Sequence, residues 1–344
     1  MIRVGVIGYG YWGPNLARNF AAEKAFTLAA VCDTQADRLG LAAERLPTAR
    51  LTADARSLIA APDIDAVAIA TPVSTHFDLA MAALRAGKHV LVAKPAATRG
   101  DDVLRLIDEA AARGRVLMAD HTYVYTGAVR RIRDIVAGGG LGEIRYYDSV
   151  RVNLGLFQHD VNVVWDLAPH DLSIMDYVLP ERPVAVSATG ISHVPGGGEN
   201  IAYLTYFYDG PMIAHVGVNW LAPVKVRNVL IGGSDKMVVF DDLQPSEKVK
   251  VYASGITVTP AAGPEEVYRT MVGYRTGDMW APALDRTEAL ATEVRHFADC
   301  IASGAPPLTD GFAALRMVRA LEAATASLRN RGQPTALAPL DRAA

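Results

Sequence analysis

Gly8-Tyr9-Gly10-Tyr11-Trp12-Gly13 has the Gly-x-Gly-x-x-Gly spacing, and it stands between a strand-like run, Arg3 to Ile7, and a segment of helical period opening at Pro14. In that context glycines let the main chain approach a pyrophosphate, and the helix N-terminus offers it free N–H groups and partial positive charge. Asp33 ends the second strand candidate, twenty residues after Gly13. A carboxylate there accepts hydrogen bonds from the adenosine ribose and repels a 2′-phosphate, which selects NAD over NADP. Gly8, Gly10, Tyr11, Trp12, Gly13 and Asp33 are therefore expected to bind the cofactor. The bland alternative is a glycine-rich turn with Asp33 capping a helix, and it leaves the conjunction of strand, glycines, helix and acid without a reason.

Thr71-Pro72-Val73-Ser74-Thr75-His76 and Lys94-Pro95 each follow a strand candidate, and open α/β sheets bind their ligands at such C-terminal strand ends. Thr71, Pro72, His76, Lys94 and Pro95 join the expected cofactor site. Read singly, Ser74 or Thr75 is equally a helix cap, His76 a surface residue and Lys94 a solvated charge. Trp165-Asp166-Leu167-Ala168-Pro169-His170 sets a carboxylate and an imidazole four residues apart, on one face of a helical turn. Pro169 fits if the helix begins near Asp166 and Pro169 falls in its first turn. A carboxylate beside an imidazole fixes its tautomer and raises its basicity, as alcohol oxidation needs when a proton leaves with the hydride. A capping Asp with a packed His is the alternative. No third ligand has helix-compatible spacing here, so no metal site is expected.

The elements that must position these residues change character along the chain. Up to about Asp120, β-branched runs (Arg3 to Ile7, Thr27 to Cys32, Ala66 to Ala70, His89 to Val92, Val116 to Ala119) alternate with helical segments (Pro14 to Ala22, Ala36 to Leu46, Thr75 to Ala86, Asp101 to Arg113). That is the pattern of an α/β Rossmann domain with a parallel sheet. After a helix over Gly127 to Ala137, period-2 segments dominate: Ile144 to Val152, Val184 to Ser192, Ile201 to Tyr208, Met212 to Trp220, Val229 to Ile231, Met237 to Phe240 and Val249 to Tyr252. They predict an α+β domain on a large open, mostly antiparallel sheet, followed by helices over Arg286 to Ser303 and Phe312 to Asn330. The expected division is a Rossmann domain over 1–121 and a substrate-binding and oligomerisation domain over 122–344.

The 344 residues are 51% hydrophobic and 21% charged, with a formal net charge of −3. This composition fits two globular domains and provides no basic field for nucleic acid or an anionic membrane surface. Two cysteines far apart, no apolar stretch of spanning length and no leader at the N-terminus predict a cytoplasmic protein with reduced thiols.

Taken together, Gly8 to Gly13, Thr71 to His76, Lys94-Pro95 and Asp166 with His170 resemble the motifs of the Gfo/Idh/MocA oxidoreductase family, in family order and over nearly the whole chain. The resemblance implies NAD-dependent hydride transfer at a secondary hydroxyl, with Lys94, Asp166 and His170 catalytic, and a homodimer or homotetramer formed through the open sheet. One position departs from the family pattern: Ala93 precedes Lys94 where Glu is usual. Asn153 to Asp160 and Gly277 to Pro282 are similar to bacterial members associated with nucleotide sugars, including those acting at C3 of UDP-N-acetylglucosamine. The substrate set that follows is Lys94, Tyr123, Arg151, Asn153, Gln158, His159, Asn162, Asp166 and His170, with Arg151 meeting a phosphate. An inositol, other cyclitol or free-sugar dehydrogenase makes the same chemical demands, and a non-catalytic NAD-binding sensor fits the loss of Glu before Lys94.

Overall fold

The computed structural model describes residues 1–155, 161–259 and 271–338. In chain order the elements are β1 (Ile2–Ile7), α1 (Gly13–Ala22), β2 (Phe26–Cys32), α2 (Ala36–Arg45), β3 (Arg50–Thr52), α3 (Ala55–Ala60), β4 (Ala66–Ile69), α4 (His76–Arg85), β5 (His89–Ala93), α5 (Gly100–Arg113) and β6 (Leu117–Asp120). There follow α6 (Gly127–Ala137), β7 (Ile144–Leu154), α7 (Val163–Val178), β8 (Ala185–Ile191), β9 (Ile201–Phe207), β10 (Ile213–Asn219), β11 (Leu221–Gly233), β12 (Met237–Asp241) and β13 (Val249–Tyr252). Next come β14 (Gly255–Thr259), β15 (Met271–Arg275), β16 (Met279–Trp280), α8 (Ala289–Ser303), α9 (Gly311–Arg329) and β17 (Thr335–Ala336).

The chain forms two compact units, Met1–Thr126 with Arg286–Glu322, and Gly127–Asp285 with Ala323–Ala344. In the first, six parallel strands run in the order β3-β2-β1-β4-β5-β6, which is the doubly wound dinucleotide-binding arrangement. Helices cover both faces, so the central strands need no polar side: Val4, Val6, Val67, Ile69, Val90 and Val92 are fully buried. The sequence predicts the whole second half as one domain, whereas 286–322 packs with this first unit. The cause is an apolar stripe on α8: Phe297 stacks on Phe26 of β2 at 6.0 Å, and Phe26 meets Phe20 of α1 edge-on at 4.9 Å. Arg18 on α1 ties the start of α8 through Glu288 at 2.6 Å.

The second unit is built on nine described strands in the order β16-β13-β12-β11-β7-β10-β9-β8-β17. The sheet is mixed, because β7 and β10 run parallel at its centre while the neighbours on either side pair antiparallel. Along β7, Tyr147, Ser149 and Arg151 are buried beneath α7, and Tyr146 and Val150 on the other face are exposed. Among the described residues no helix is long and apolar enough to cross a membrane.

Candidate active site

In the first unit the strand order reverses between β1 and β4, and open α/β sheets bind ligands in the crevice at such a switch point. The glycine loop leaves β1 there. Gly8 has φ +92°, and a Cβ at Gly13 would lie 1.9 Å from the Gly8 carbonyl oxygen, so neither position accepts a side chain without opening the turn. Trp12 begins α1 without any side-chain cap; Pro14 has no N–H and the Asn15 amide donates to the Trp12 carbonyl at 3.0 Å, so the helix N-terminus offers an anion the main-chain amides that precede Pro14. Tyr11 is 90% exposed. The loop therefore fits the pyrophosphate of a dinucleotide on its own geometry.

Asp33 follows β2 and is only 4% exposed. Its Oδ2 accepts from the Tyr9 amide at 2.7 Å and its Oδ1 from the Gln35 amide at 2.9 Å, so the carboxylate also pins the entry of the glycine loop. Each oxygen retains a second lone pair for a ribose hydroxyl. Arg38 on α2 approaches Asp33 to 3.6 Å, and its Nη1 would be 3.2 Å from a Cβ on Gly10. The motif reading overlooks Arg38; only its place in the first turns of the helix after Asp33 marks it. Asp33→Asn removes the charge while leaving an acceptor for Tyr9. It should raise the ratio of kcat/KM with NADP to that with NAD by about tenfold or more, the scale of one charged contact; an unchanged ratio would assign Asp33 to holding the loop alone.

Thr71 follows β4, and its hydroxyl meets that of Thr75 at 2.7 Å. The expectation that His76 touches the cofactor is corrected: its ring is 1% exposed, with Nδ1 2.8 Å from the Pro95 carbonyl and Nε2 2.8 Å from the Thr71 carbonyl. His76 thus ties the loop after β4 to the Lys94-Pro95 loop after β5, one neutral tautomer serving one carbonyl and the protonated ring both. Lys94 itself is half-buried at the strand end. Tyr123 is half-buried in a short 3-10 turn, Thr122–Tyr125, that follows β6.

In the second unit α7 begins at Val163, earlier than Pro169 suggests, so Pro169 lies inside the helix and Asp166 in its first turn. The reason is Asn162. Its side-chain oxygen accepts from the Trp165 amide at 3.2 Å and its amide donates to Glu199 at 2.7 Å, so it caps the helix and is not placed as a substrate contact. Asp166 and His170 stand one turn apart on α7, each half-buried. Asp166 accepts from the Trp220 indole at 3.0 Å. Trp220 carries no motif, and only tertiary packing reveals it.

Arg151 also corrects the sequence expectation. It is 3% exposed and its Nε is 2.5 Å from Oδ2 of Asp171, itself 1% exposed, so it anchors α7 to β7 and does not present a cation to a phosphate. Asn153 is half-buried two residues further along the same face of β7. Gln158 and His159 lie outside the described residues.

A doubly wound sheet with a glycine cradle at its switch point, followed by a mixed open sheet carrying an acid and an imidazole on one helix, defines an NAD-binding oxidoreductase of two domains. The chain belongs to the Gfo/Idh/MocA family: residues 2–121 match the model described as "Oxidoreductase family, NAD-binding Rossmann fold" and residues 129–239 the "GFO/IDH/MocA C-terminal domain". It is 30% identical to a UDP-N-acetylglucosamine 3-dehydrogenase of Acidithiobacillus ferrooxidans, over 93% of this chain and 95% of that one. The solved structure of that enzyme superposes with a TM-score of 0.79 at 28% identity, covering 96% and 99% of the two chains. A myo-inositol 2-dehydrogenase of Thermotoga maritima is 28% identical over 55% of this chain and 58% of its own. The chain is an NAD-dependent dehydrogenase of sugar-type substrates.

Proposed function

We propose that the enzyme oxidises a secondary ring hydroxyl at C3 of a nucleotide sugar such as UDP-N-acetylglucosamine, or catalyses the reverse reduction. The observation that carries the chemistry is the placement of Asp166 and His170 one turn apart on α7, with Asp166 held by Trp220. Bound NAD supplies the acceptor for the hydride. His170 takes the hydroxyl proton as general base, and Asp166 favours and orients its protonated form. Lys94 hydrogen-bonds the reacting oxygen and stabilises the negative charge that develops there. The choice of a nucleotide sugar is supported by similarity along almost the full length of the A. ferrooxidans enzyme, since Arg151 is committed to Asp171. The exposed Tyr146, Val150, Tyr203 and Ile213 share one face of the large sheet by register, an apolar patch suited to a homodimer or homotetramer.

The test offers UDP-N-acetylglucosamine deuterated at C3, free N-acetylglucosamine and deuterated myo-inositol, and follows the label into reduced cofactor. Transfer from the UDP sugar is expected at a kcat/KM at least ~100-fold above that of the free sugar, because binding of the remote nucleotide contributes to aligning the ring. Efficient transfer from inositol with none from the nucleotide sugar would replace this reading with that of a cyclitol dehydrogenase, which the T. maritima relative favours.

A further inference from the structure

Glu293 on α8 is 0% exposed, and neither of its carboxyl oxygens meets a hydrogen-bond donor at bonding geometry among the described residues. The Asp120 carboxylate at the end of β6, the His121 amide and the Thr122 hydroxyl face it. The amide and the hydroxyl are already committed, His121 to the Ala119 carbonyl at 2.9 Å and Thr122 to Oδ1 of Asp120 at 2.5 Å. An ionised carboxylate here would be desolvated, faced only by donors already bonded elsewhere, and beside a like charge. A carboxylic acid brings its own donor, and Asp120 is the acceptor within reach. Asp120 in turn accepts at Oδ2 from the Trp12 indole at 2.5 Å, and Trp12 is the residue from which α1 begins, at the end of the glycine loop.

We propose that Glu293 is a positioning residue of the cofactor site: held as a neutral carboxylic acid, it donates to Asp120, and the resulting acid–carboxylate pair anchors Trp12 and with it the glycine loop. The register adds a second observation. Ala93 is the cross-strand partner of Asp120, so the position where the family usually carries Glu is the one at which a third carboxylate would enter this cluster, and a small apolar residue avoids that repulsion. Burial, and after it the charge of Asp120, push the Glu293 carboxyl well above the ordinary carboxylate range. The other titratable neighbours are Tyr125, bonded to Thr309 at 3.1 Å and itself kept neutral by burial, with His121 before it and with His296 and Cys300 further along α8. Because the folded state binds the Glu293 proton more tightly than the unfolded chain, the Glu293 donor is in place at every pH below its folded-state value. It is lost as the pH rises through the folded-state value, when two carboxylates are left under Trp12.

The experiment measures NAD binding by calorimetry in the absence of sugar, so its outcome is separate from the choice of substrate. E293Q supplies an amide donor in place of the acid and should bind NAD within about twofold of wild type, whereas E293L should bind about tenfold more weakly, the scale of one charge-assisted hydrogen bond. The alkaline loss of affinity in wild type should be absent from E293Q, and the difference infrared spectrum of wild type against E293Q should contain a protonated carboxyl band at neutral pH. A missing band, an E293Q profile that follows the wild-type loss at high pH, or an E293L protein with wild-type affinity overturns the proposal. Should E293L fail to fold, the wild type and E293Q decide the matter by themselves.

Discussion

His170→Asn should lower kcat by about 100-fold or more, the ordinary scale for losing a positioned proton-transfer group, while NAD affinity stays within about twofold. Asn keeps the polarity and approximate size of the side chain but cannot take a proton near neutral pH. Lys94→Met should reduce kcat to a similar degree by removing the charge proposed to stabilise the reacting oxygen. Steady-state kinetics with the best substrate, together with direct NAD binding, separate the two effects. Near-normal turnover in His170→Asn would move the base elsewhere, with His121 at the end of β6 or His159 the next to replace.

Arg151→Met should destabilise the protein by about 3–5 kcal/mol, because it leaves Asp171 charged and buried with its guanidinium gone. The pair is almost fully enclosed, at 3% and 1% exposure, and it joins β7 to the helix that carries Asp166 and His170. Replacing both partners, Arg151→Met with Asp171→Leu, should recover most of the loss, since two apolar side chains remove the unpaired charge together with its need for a partner. Urea unfolding of the two variants beside wild type gives the comparison through their midpoints. If the single variant unfolds at the wild-type midpoint, the ion pair contributes little to stability. If it retains stability and loses only affinity for a nucleotide sugar, Arg151 is a ligand after all.

The first unit was legible because its information is local. Short β-branched runs and helical periods alternate there with few exceptions, and the strand expected over Thr27 to Cys32 is found over Phe26–Cys32 and the helix over Asp101 to Arg113 over Gly100–Arg113. The small β3 and α3 escaped because three strand and six helical residues carry too little periodicity to register. In the second half β11 extends from Leu221 to Gly233, although only Val229 to Ile231 reads as strand. Its first part, through Pro223 and Lys225, lacks alternation, and pairing with β7 at Leu221 and again from Val226 supplies the order that its own sequence does not.

By itself the sequence marked the cofactor through the glycine spacing and Asp33, which depend on residue type and separation along the chain, and it pointed to the class of reaction through the resemblance of Lys94-Pro95 and the Asp166–His170 interval to the family's motifs. What only the tertiary structure decided is the partner each polar side chain takes. Arg151, Asn162 and His76 are chemically able to meet a ligand, but the fold spends them on Asp171, on the N-terminus of α7 and on two loop carbonyls. The physical reason is burial: a charge or amide removed from water must be matched by whatever group packs against it, and that group lies twenty residues away for Arg151 and nineteen for His76 with Pro95. Glu293 and Asp120 are 173 positions apart in the chain, and no spacing rule connects them. Only the packing of α8 on the first unit sets an acid against a carboxylate behind the glycine loop.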